Sequence, residues 1–452
     1  MKIAIIGGAG VRTPLLISGL SRSHLPIDEV TLYDLDNGRL AMMVSVARRL
    51  CPRLDIRPCA ESADCVRNAD FVFTSIRAGG IARRARDERI ALEHGVVGQE
   101  TVGPAGFAMA LGNIPPMLEY AREVETLAPG AWIVNFTNPV GVVTQAVQSR
   151  TRARIIGICD TPFELCRDAA RVLDLEPAAC RFDYVGLNHL GWLREIYLNG
   201  EPRIAPLWRD ASALDRVYRR RLFDPSFLQS MRLLPTEYVY YYLYPARATE
   251  ALRSAARTRG EEIESLNVQL FADLQSGTKD AGAVYFEYLA SRDAGYMAAE
   301  AGNRRPAQGG AEAPRPHERA FPSAASRVPP ADRAITGYDR IALSVVDAIW
   351  LDTGAHIPLN VRNGTALPEL EPDDVVEVPC AVTRKGPAPQ PTASLPPQVR
   401  GLVEQVKAYE RLTIEAAVHR SDEIAREALT LNPLVGSPDL AAALVDALRP
   451  LW

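Results

Sequence analysis

The chain opens with KIAIIGGAGVRTP, residues 2–14, and this stretch predicts the start of a nucleotide-binding fold. Its first part, Lys2–Ile6, is a short apolar run that predicts a buried strand. Three glycines then mark a sharp turn from the strand into a helix: Gly7, Gly8 and Gly10. Pro14 suits the first turn of that helix. Because such a turn exposes backbone N–H groups and the positive end of a helix, it predicts a site for a dinucleotide pyrophosphate.

An acidic residue completes this signature about 20 residues later. VTLYDLD, residues 30–36, predicts a second strand that ends in Asp34 and Asp36. An acid at this distance is placed to bind a ribose 2′-hydroxyl, which favours NAD over NADP. The third glycine of the strict fingerprint is replaced by Thr13, so a glycine-rich turn without a ligand is the alternative. The predicted NAD-binding residues are Gly7, Gly8, Gly10, Thr13 and Asp34.

Strand patterns alternate with helical patterns through the first part of the chain. Further buried strands are predicted at 71–76, at 132–135 and within RIIGICD, 154–160. We therefore predict a Rossmann-type, doubly wound parallel sheet. Ligands of such sheets bind at the carboxyl ends of the strands, where the following side chains are expected: Arg77, Asn135, Asn138 and Cys159. The two asparagines suit recognition of hydroxyl groups, although Asn-Pro is also simply a good turn.

The rest of the chain predicts a second domain. We expect an NAD-binding domain over 1–165 and, over 166–452, a larger, mixed α/β, helix-rich catalytic domain, as in lactate and malate dehydrogenases. RFDYVGLNHLGWLREIYLNGE, residues 181–201, predicts two strands with His189 near their middle. The stretch 303–333, rich in Pro, Ala, Arg and Gly, predicts a mobile loop.

Two reactive side chains occupy apolar runs. Cys159 ends the run RIIGIC, and His189 follows 30 positions later. A thiolate and an imidazole can share a transition-metal ion. A buried cysteine is more often a small hydrophobic residue and a buried histidine a satisfied structural one. The residues alone leave both interpretations open.

A run of tyrosines, TEYVYYYLYP, occupies residues 236–245. Its five tyrosines could simply pack on one side of a half-buried helix or strand. One phenol could also lie in a cleft as a base, if a nearby cation lowered its normally high pKa.

Composition excludes several classes of protein. Of the 452 residues, 47% are hydrophobic and 23% charged, and a formal charge of −4 gives no reason to expect a nucleic-acid partner. No apolar run approaches the ~20 residues of a membrane-spanning helix, and the opening run is too short for a secretory signal. The seven cysteines predict free thiols and a cytoplasmic location. Arg84 and Arg86 are expected on a solvated helix face.

Together, these segments resemble glycoside hydrolase family 4, the NAD- and metal-dependent glycosidases, and within it the 6-phospho-β-glucosidase branch. The matching segments are the N-terminal GG-G--TP, IRAGGIARRARDE, GQETVGPAGF, NFTNPVG, GICDTP, GLNHLGW, PTEYVYYY, GYDRIAL, LNVRNG, VVEVPC and AYERLTIEA. Each segment alone is unspecific, but the combination is highly specific and spans nearly the whole chain.

The resemblance implies a glycosidase outside the usual two-carboxylate scheme. Cleavage would proceed by transient NAD-dependent oxidation at carbon 3, metal-assisted deprotonation at carbon 2, elimination and addition of water. The implied cofactors are NAD+, which is not consumed, and a divalent metal, typically Mn2+. The implied substrate is a small phosphorylated disaccharide or glycoside, and the implied assembly is a homodimer or homotetramer without nucleic-acid or membrane partners.

The resemblance also implies roles for individual residues. Cys159 and His189 correspond to the metal ligands, with substrate oxygens completing the coordination. The implied catalytic residues are Tyr238, Tyr241 and Asp160, with Tyr238 favoured over Tyr241 as the base. The implied substrate-binding residues are Arg77, Glu100, Asn138 and Asn188. Some α-phosphoglucosidases carry an aspartate and many β-phosphoglucosidases an asparagine at the position of Asp160, so the anomer preference stays open.

One segment departs from the family pattern. The family often has GPGGFAKALRTIP where this chain has GPAGFAMALGNIP, so Met109 and Gly112 replace a lysine and an arginine. A phosphate carries about −1.5 to −2 charges at neutral pH, and the loss of two cations would weaken its capture. Either other arginines such as Arg232 or Arg247 bind the phosphate, or the substrate is not phosphorylated.

Two other functions fit parts of the pattern. An NAD-dependent dehydrogenase of hydroxy acids or sugars would stop at the ketone and accumulate NADH. A non-catalytic protein that binds NAD or a sugar would need none of the candidate catalytic side chains.

Overall fold

The computed structural model describes residues 1–302 and 337–449 of the chain. The predicted mobile loop at 303–333 lies outside the described residues. Within them, the strands are β1 (Lys2–Ile6), β2 (Glu29–Tyr33), β3 (Asp55–Pro58), β4 (Phe71–Thr74), β5 (Trp132–Asn135), β6 (Arg154–Gly157), β7 (Cys180–Leu187), β8 (Leu190–Leu198), β9 (Glu201–Pro202), β10 (Leu234–Pro235), β11 (Ala355–Arg362), β12 (Val375–Thr383) and β13 (Gly386–Pro389).

The helices surround these strands. They are α1 (Thr13–Ser21), α2 (Asn37–Leu50), α3 (Ser62–Val66), α4 (Gly80–Glu93), α5 (Gly103–Leu127), α6 (Val140–Arg150), α7 (Asp160–Val172), α8 (Ala211–Val217), α9 (Pro225–Met231), α10 (Val239–Leu243), α11 (Pro245–Ser254), α12 (Arg259–Ser276), α13 (Ala281–Ala294), α14 (Ala298–Ala301), α15 (Gly337–Leu351), α16 (Pro397–His419), α17 (Asp422–Leu431) and α18 (Pro438–Leu448). None of the helices in the described ranges is both long and apolar enough to cross a bilayer.

The main sheet has nine strands in the order β13-β12-β11-β6-β5-β4-β1-β2-β3. Strands β1 to β6 pair in parallel, and their order is that of a dinucleotide-binding Rossmann sheet. Strands β11 to β13 extend it in antiparallel pairing, with Asn360 of β11 opposite Gly157 of β6. The parallel sheet is therefore joined edge to edge with strands from the C-terminal part of the chain.

The strand order reverses between β1 and β4, which opens a crevice at their carboxyl ends. Gly7 turns the chain there with a φ of +90°. A Cβ at Gly7 would lie 2.3 Å from the carbonyl oxygen of Ser75, so only glycine permits this close passage over the end of β4. Strand β4 ends at Thr74, two residues before the predicted end, because the chain already turns at this crossing.

A smaller antiparallel sheet, β10-β8-β7 with β9 paired to β8, carries the second half of the site. Strands β7 and β8 are joined by only two residues, Asn188 and His189. His189 has a φ of +62° and lies in this turn, whereas the sequence predicted it near the middle of a strand pair. The turn has apolar residues on both sides because β7 packs against β12 and this end of the hairpin is buried. The sequence therefore lacks the polar residues that usually indicate a turn.

The short helix α10 follows β10 after three intervening residues and contains three of the five tyrosines, with Tyr238 and Tyr244 at its two ends. Tyr240 and Tyr241 are buried in a core that also includes residues of β7, β8 and α7. The turn between β7 and β8, the start of α7 and the tyrosine helix therefore meet beside the crevice of the main sheet.

Candidate active site

Two clefts meet at the carboxyl ends of the parallel strands. The larger, here the glycine cleft, has a volume of about 400 Å³ and is lined by Gly7, Gly10, Asp34, Cys159 and His189 among others. The smaller, here the tyrosine cleft, has a volume of about 250 Å³ and is lined by Tyr218, Tyr238, Tyr241 and Tyr296 among others. Seven residues line both clefts: Arg12, Glu100, Asp160, Tyr238, Ile263, Arg292 and Tyr338.

Cys159 and His189 come together at this junction. Cys159 immediately precedes α7, after the end of β6, and His189 projects from the turn between β7 and β8. The Cys159 Sγ atom lies 3.6 Å from His189 Nε2. Both side chains are buried, and both line the glycine cleft.

A threonine sets the orientation of the His189 ring. The His189 Nδ1 and Thr101 Oγ1 atoms are 2.8 Å apart, and the Thr101 hydroxyl donates to Gln99 Oε1 at 2.9 Å. Since that hydroxyl proton is already engaged, the threonine oxygen accepts the Nδ1–H of the imidazole. Burial lowers the pKa of His189 to about 4, so the ring is neutral at pH 7. The unprotonated Nε2 therefore faces Cys159, as a metal ligand requires.

The pair fits a transition-metal ion. The 3.6 Å separation is shorter than the sum of typical metal–sulfur and metal–nitrogen bonds, about 2.3 and 2.1 Å, so one ion can contact both atoms. Burial, and then the charges of Glu377 and Asp160, raises the pKa of the Cys159 thiol, and a bound cation reverses this by favouring the thiolate. Among the described residues no group of three or more His, Cys, Asp or Glu side chains is arranged for a metal. Any further ligands of an ion bound by Cys159 and His189 would therefore have to be groups of another kind, such as amide or substrate oxygens.

Asn138 lines the same cleft as Cys159 and His189 and is a candidate for such a polar contact. Its side chain lines the glycine cleft, and its Oδ1 atom is buried without a hydrogen-bond partner in the part of the chain that the structure describes. The Asn138 carbonyl accepts a hydrogen bond from Asn113 Nδ2 at 2.7 Å, which holds the backbone in place. A buried amide oxygen without a partner is costly, so this atom fits contact with a bound ligand.

The glycine turn fits a dinucleotide. The Asp34 carboxylate accepts the backbone N–H of Ala9 at 3.0 Å and that of Asp36 at 3.1 Å, which fixes it at the edge of the cleft. Gly7, Gly10 and Asp34 line the cleft. Gly8 and Thr13 do not line it: a Cβ at Gly8 would lie 2.9 Å from the Leu32 side chain, and Thr13 is buried at the start of α1.

The two favoured tyrosines have different surroundings. The ring of Tyr238 stacks on the ring of His189 and lines both clefts. Tyr241 lines only the tyrosine cleft, and its hydroxyl donates to Glu300 Oε1 at 2.5 Å. Burial raises the pKa of both phenols, followed by the charge of Glu100 at Tyr238 and of Glu300 at Tyr241.

Glu100 forms ion pairs with two arginines, the predicted substrate-binding residue Arg77 and a second one, Arg84. Its Oε2 atom lies 2.7 Å from Arg77 Nη2 and 2.7 Å from Arg84 Nη1. Burial acts to raise the pKa of Glu100, but the charges of these arginines outweigh it and lower that pKa to about 2. The prediction that Arg84 lies on a solvated face is wrong: it is 5% exposed, because two carboxylates, Glu88 and Glu100, compensate its charge. Arg86 is exposed as predicted.

Asn188 lies behind the clefts rather than in their lining. Its Nδ2 atom donates to Glu377 Oε1 at 3.3 Å, and the same carboxylate accepts from Tyr184 Oη at 2.8 Å and Asn360 Nδ2 at 2.7 Å. Burial raises the pKa of Glu377 to about 7. Through Asn188, this buried carboxyl group holds the turn that carries His189.

The segment that departs from the family pattern lies beside the glycine cleft. Met109 lines that cleft, with its Sδ atom 3.8 Å from Arg77 Nη1. A Cβ at Gly112 would lie 2.2 Å from Arg83 Nη1, so the Arg83 guanidinium occupies the space of a side chain at position 112. Arg83 Nη2 is held there by the carbonyl of Ala108 at 2.7 Å.

Sequence reasoning missed several residues of the site. Thr101 was part of a noted segment, but its contact with His189 joins residues 88 positions apart. Glu377 lies in VVEVPC, a segment that carried the family resemblance without an assigned role. Arg12 and Arg292 gave no signal of their own. The arginines suggested for a phosphate, Arg232 and Arg247, line neither cleft.

The chain thus has a Rossmann-type sheet with two adjoining clefts at the carboxyl ends of its parallel strands, and the Cys159–His189 pair lines one of them. A family model described as Family 4 glycosyl hydrolase matches residues 2–175, and one described as Family 4 glycosyl hydrolase C-terminal domain matches residues 184–435. The chain belongs to glycosyl hydrolase family 4. The predicted family and fold class are confirmed.

Similar proteins cover the full length of the chain. A probable 6-phospho-β-glucosidase of Bacillus subtilis is 30% identical over 468 residues, covering 99% of this chain and 95% of that protein. A 6-phospho-β-glucosidase of Thermotoga maritima, solved with manganese, NAD+ and glucose 6-phosphate, superposes with a TM-score of 0.80 at 27% identity, covering 100% and 98% of the two chains. A 6-phospho-α-glucosidase from gut microorganisms, solved with NAD and glucose 6-phosphate, has a TM-score of 0.81 at 28% identity, covering 100% and 97%.

Proposed function

We propose that this protein is a 6-phospho-β-glucosidase-like glycosidase that requires NAD+ and a divalent metal, with Mn2+ as the favoured ion. The observation that carries the proposal is the 3.6 Å contact between Cys159 Sγ and His189 Nε2 at the junction of the two clefts. Relatives with full-length similarity that bind NAD, manganese and glucose 6-phosphate support the cofactors and the substrate class.

The two cofactors have separate sites on this chain. Gly7, Gly10 and Asp34 would hold NAD+, and Cys159 with His189 would hold the metal. When bound, NAD+ supplies a hydride acceptor for carbon 3 of the sugar, and the metal supplies positive charge that acidifies the proton on carbon 2. Because hydride is returned at the end of the cycle, NAD+ is a catalyst and not a substrate.

The chain's own side chains position the sugar and move the protons. Tyr238 is our choice for the base at carbon 2, because its ring contacts His189, whereas the Tyr241 hydroxyl is engaged by Glu300. Asp160 directly follows Cys159 and lines both clefts, which suits proton donation to the departing oxygen.

Three further side chains would hold the sugar hydroxyls. Glu100 and Asn138 present oxygen acceptors to the clefts, and Arg77 fixes the Glu100 carboxylate. Asn188 acts indirectly, since its amide is bound to Glu377 and holds the turn of His189.

The anomer, the assembly and the location belong to the same proposal. Relatives include both β- and α-phosphoglucosidases, so each anomer is assayed, with the β-linked substrate expected to react faster. We further propose a homodimer or homotetramer. All seven cysteines lie in the described residues and are free, which supports the proposed cytoplasmic location.

The proposal is tested with purified protein, 4-nitrophenyl β-glucoside 6-phosphate, NAD+, Mn2+ and a thiol. Nitrophenol release that needs both cofactors is the expected result. His189→Ala should abolish this release while NAD+ still binds. No release from this substrate, its unphosphorylated form or its α-linked analogues would contradict the proposal. Net accumulation of NADH during turnover would instead identify a dehydrogenase.

A further inference from the structure

Arg292 lies at the junction of the two clefts, and among the described residues no carboxylate forms an ion pair with it. It belongs to α13, which crosses the glycine turn: the Tyr285 hydroxyl of this helix donates to the carbonyl of Val11 at 2.8 Å. Two turns further along, the Arg292 guanidinium donates through Nη1 to the Tyr288 hydroxyl at 3.0 Å. The arginine lines both clefts, so its charge faces the space between the dinucleotide turn and the candidate metal pair.

Five other arginines of the tyrosine cleft form ion pairs with carboxylates at 3.1 Å or less. Their ion pairs are Arg84–Glu100 at 2.7 Å, Arg171–Asp168 at 3.1 Å, Arg219–Asp293 at 2.9 Å, Arg259–Glu262 at 2.6 Å and Arg340–Glu164 at 2.9 Å. Within residues 1–302 and 337–449, Arg292 forms no such pair. Arg12 has only a distant one, with its Nη1 atom 3.9 Å from Asp160 Oδ2.

Arg12 and Arg292 act on each other through their charges. Burial lowers the pKa of Arg292, the Tyr288 phenol raises it, and the positive charge of Arg12 lowers it further. Arg12 is held in place, since its guanidinium lies over the ring of Tyr338 at 5.0 Å. Arg12 has only the 3.9 Å contact with Asp160, and Arg292 acts on Glu100 through its charge without an ion pair to it among the described residues. Two guanidinium groups that line the same clefts and are only weakly compensated favour an anion between them.

We propose that Arg12 and Arg292 form the binding site for the phosphate carried by the sugar. This inference rests on the proposed function and names the residues that select its substrate. Both arginines line the tyrosine cleft as well as the glycine cleft, and Arg12 Nη1 lies 3.9 Å from Oδ2 of Asp160, the residue after Cys159. The pair therefore borders space beyond the dinucleotide turn, next to the candidate metal ligand. The pair also supplies cations for the phosphate that Met109 and Gly112 do not.

A guanidinium pair could also bind the pyrophosphate of the dinucleotide, which has the same chemistry. The test therefore measures both ligands on the full-length protein with NAD+ and Mn2+. For Arg292→Gln, we expect the KM for 4-nitrophenyl β-glucoside 6-phosphate to rise about 10- to 100-fold, the range expected for a charge-assisted hydrogen bond. The Kd for NAD+, followed by fluorescence titration, should stay within about 2-fold of wild type.

Three further variants distinguish a specific effect on phosphate binding from a general effect of substitution. Arg292→Lys keeps the charge but not the two-pronged donor geometry, so its KM should lie between those of the wild type and Arg292→Gln. Arg12→Gln should reproduce the effect of Arg292→Gln and serves if that variant does not fold. Arg253→Gln, at an exposed position of α11 and outside both clefts, is the matched control and should behave as wild type.

Phosphate binding by Arg12 and Arg292 can be tested even if the protein has no glycosidase activity. If the wild-type protein hydrolyses no glycoside, calorimetric titration with glucose 6-phosphate still tests the site, and Arg292→Gln should bind it at least about 10-fold more weakly. An unchanged KM and an unchanged glucose 6-phosphate Kd in the folded Arg12 and Arg292 variants would overturn the inference. A weakened Kd for NAD+ with an unchanged KM would overturn it as well, by assigning the pair to the dinucleotide.

Discussion

The ring of His189 lies flat against the ring of Tyr238, with centroids 3.8 Å apart and planes 7° apart. This contact joins the candidate metal ligand in the β7–β8 turn to the candidate base before helix α10. Stacking fixes the ring of Tyr238 relative to Nε2 of His189 and hence to any ion bound there. A metal that contacts two substrate oxygens and a base that removes the adjacent proton need such a fixed relationship.

Thr101 should control metal affinity without touching the metal. In Thr101→Val the Nδ1–H of His189 loses its acceptor, so the imidazole is free to turn or to change tautomer. We expect Mn2+ to bind about 10- to 100-fold more weakly, the usual effect of losing such a supporting contact. Calorimetric or EPR titration with Mn2+ measures this change, with Thr430→Val on the surface of α17 as the matched control. Wild-type Mn2+ affinity in Thr101→Val would refute the role assigned to this threonine.

Replacing Tyr238 should mainly lower kcat, whereas replacing Tyr241 should mainly lower the stability of the fold. Tyr238→Phe removes the proposed base, so kcat should fall about 10²- to 10⁴-fold with little loss of stability. Tyr241→Phe leaves the half-buried Glu300 without its donor, so it should lower the free energy of unfolding by about 1–3 kcal/mol and change kcat less. Steady-state kinetics and urea denaturation of both variants test this. A larger loss of kcat in Tyr241→Phe would reverse the assignment.

A side chain at position 112 should compete with the Arg83 guanidinium for space. In Gly112→Arg the added Cβ would lie 2.2 Å from the present position of Arg83 Nη1, so Arg83 must leave the Ala108 carbonyl, and the free energy of unfolding should fall by about 1–3 kcal/mol. Arg83→Ala should also destabilise the protein, because it removes the ion pair with the buried Asp87 at 3.5 Å. The double variant should therefore lose less stability than the sum of the losses in the two single variants. Urea denaturation of the four proteins measures this coupling, and losses that simply add would exclude the competition. Gly130→Arg, where an added Cβ meets nothing within 4 Å, is the control.

Glu377 should make stability depend on pH. An unfolded glutamate has a pKa of about 4.3, and the folded-state pKa is raised to about 7. Between these values the folded protein holds a proton that the unfolded chain has lost, so stability falls as pH rises through this window, by up to about 3–4 kcal/mol. Glu377→Gln resembles the protonated form and has an acceptor in the unpartnered Asn360 Oδ1 among the described atoms. Its stability relative to wild type should therefore increase from pH 5 to pH 8 in metal-free protein.

Urea denaturation at several pH values measures this difference. The control is Glu404→Gln on the surface of α16, whose carboxylate contacts Arg400 in solvent. A difference between Glu377→Gln and wild type that stays constant with pH would show that Glu377 does not titrate in this range.

Local patterns predicted the Rossmann half of the fold well. Strands β1 and β5 have the predicted bounds, because alternation of buried strands with helices is a property of neighbouring residues. The joining of β11 to β6 was not predicted, since strand pairing between residues about 200 positions apart leaves no local trace. The turn at His189 was missed for a related reason. Burial by β12 makes its surroundings apolar, and an apolar run resembles a continuous strand.

Some residues of the candidate site could be predicted from local patterns and others could not. Cys159, Asp34 and Asn138 follow strands of the parallel sheet, so the topology itself indicates where they lie. Thr101, Glu377 and Arg292 act through contacts between distant segments, and only the folded chain shows them. For Arg84, charge alone suggested a solvated face, whereas its two carboxylate partners make burial possible.

In the proposed reaction the glycosidic bond is cleaved after a proton is removed from carbon 2, and not by direct displacement at carbon 1. Hydrolysis of 4-nitrophenyl β-glucoside 6-phosphate in D2O with NAD+ and Mn2+, followed by NMR of the glucose 6-phosphate formed, distinguishes these two routes. Deuterium is expected at carbon 2 of the product. Rapid hydrolysis that leaves only hydrogen at carbon 2 would exclude removal of that proton.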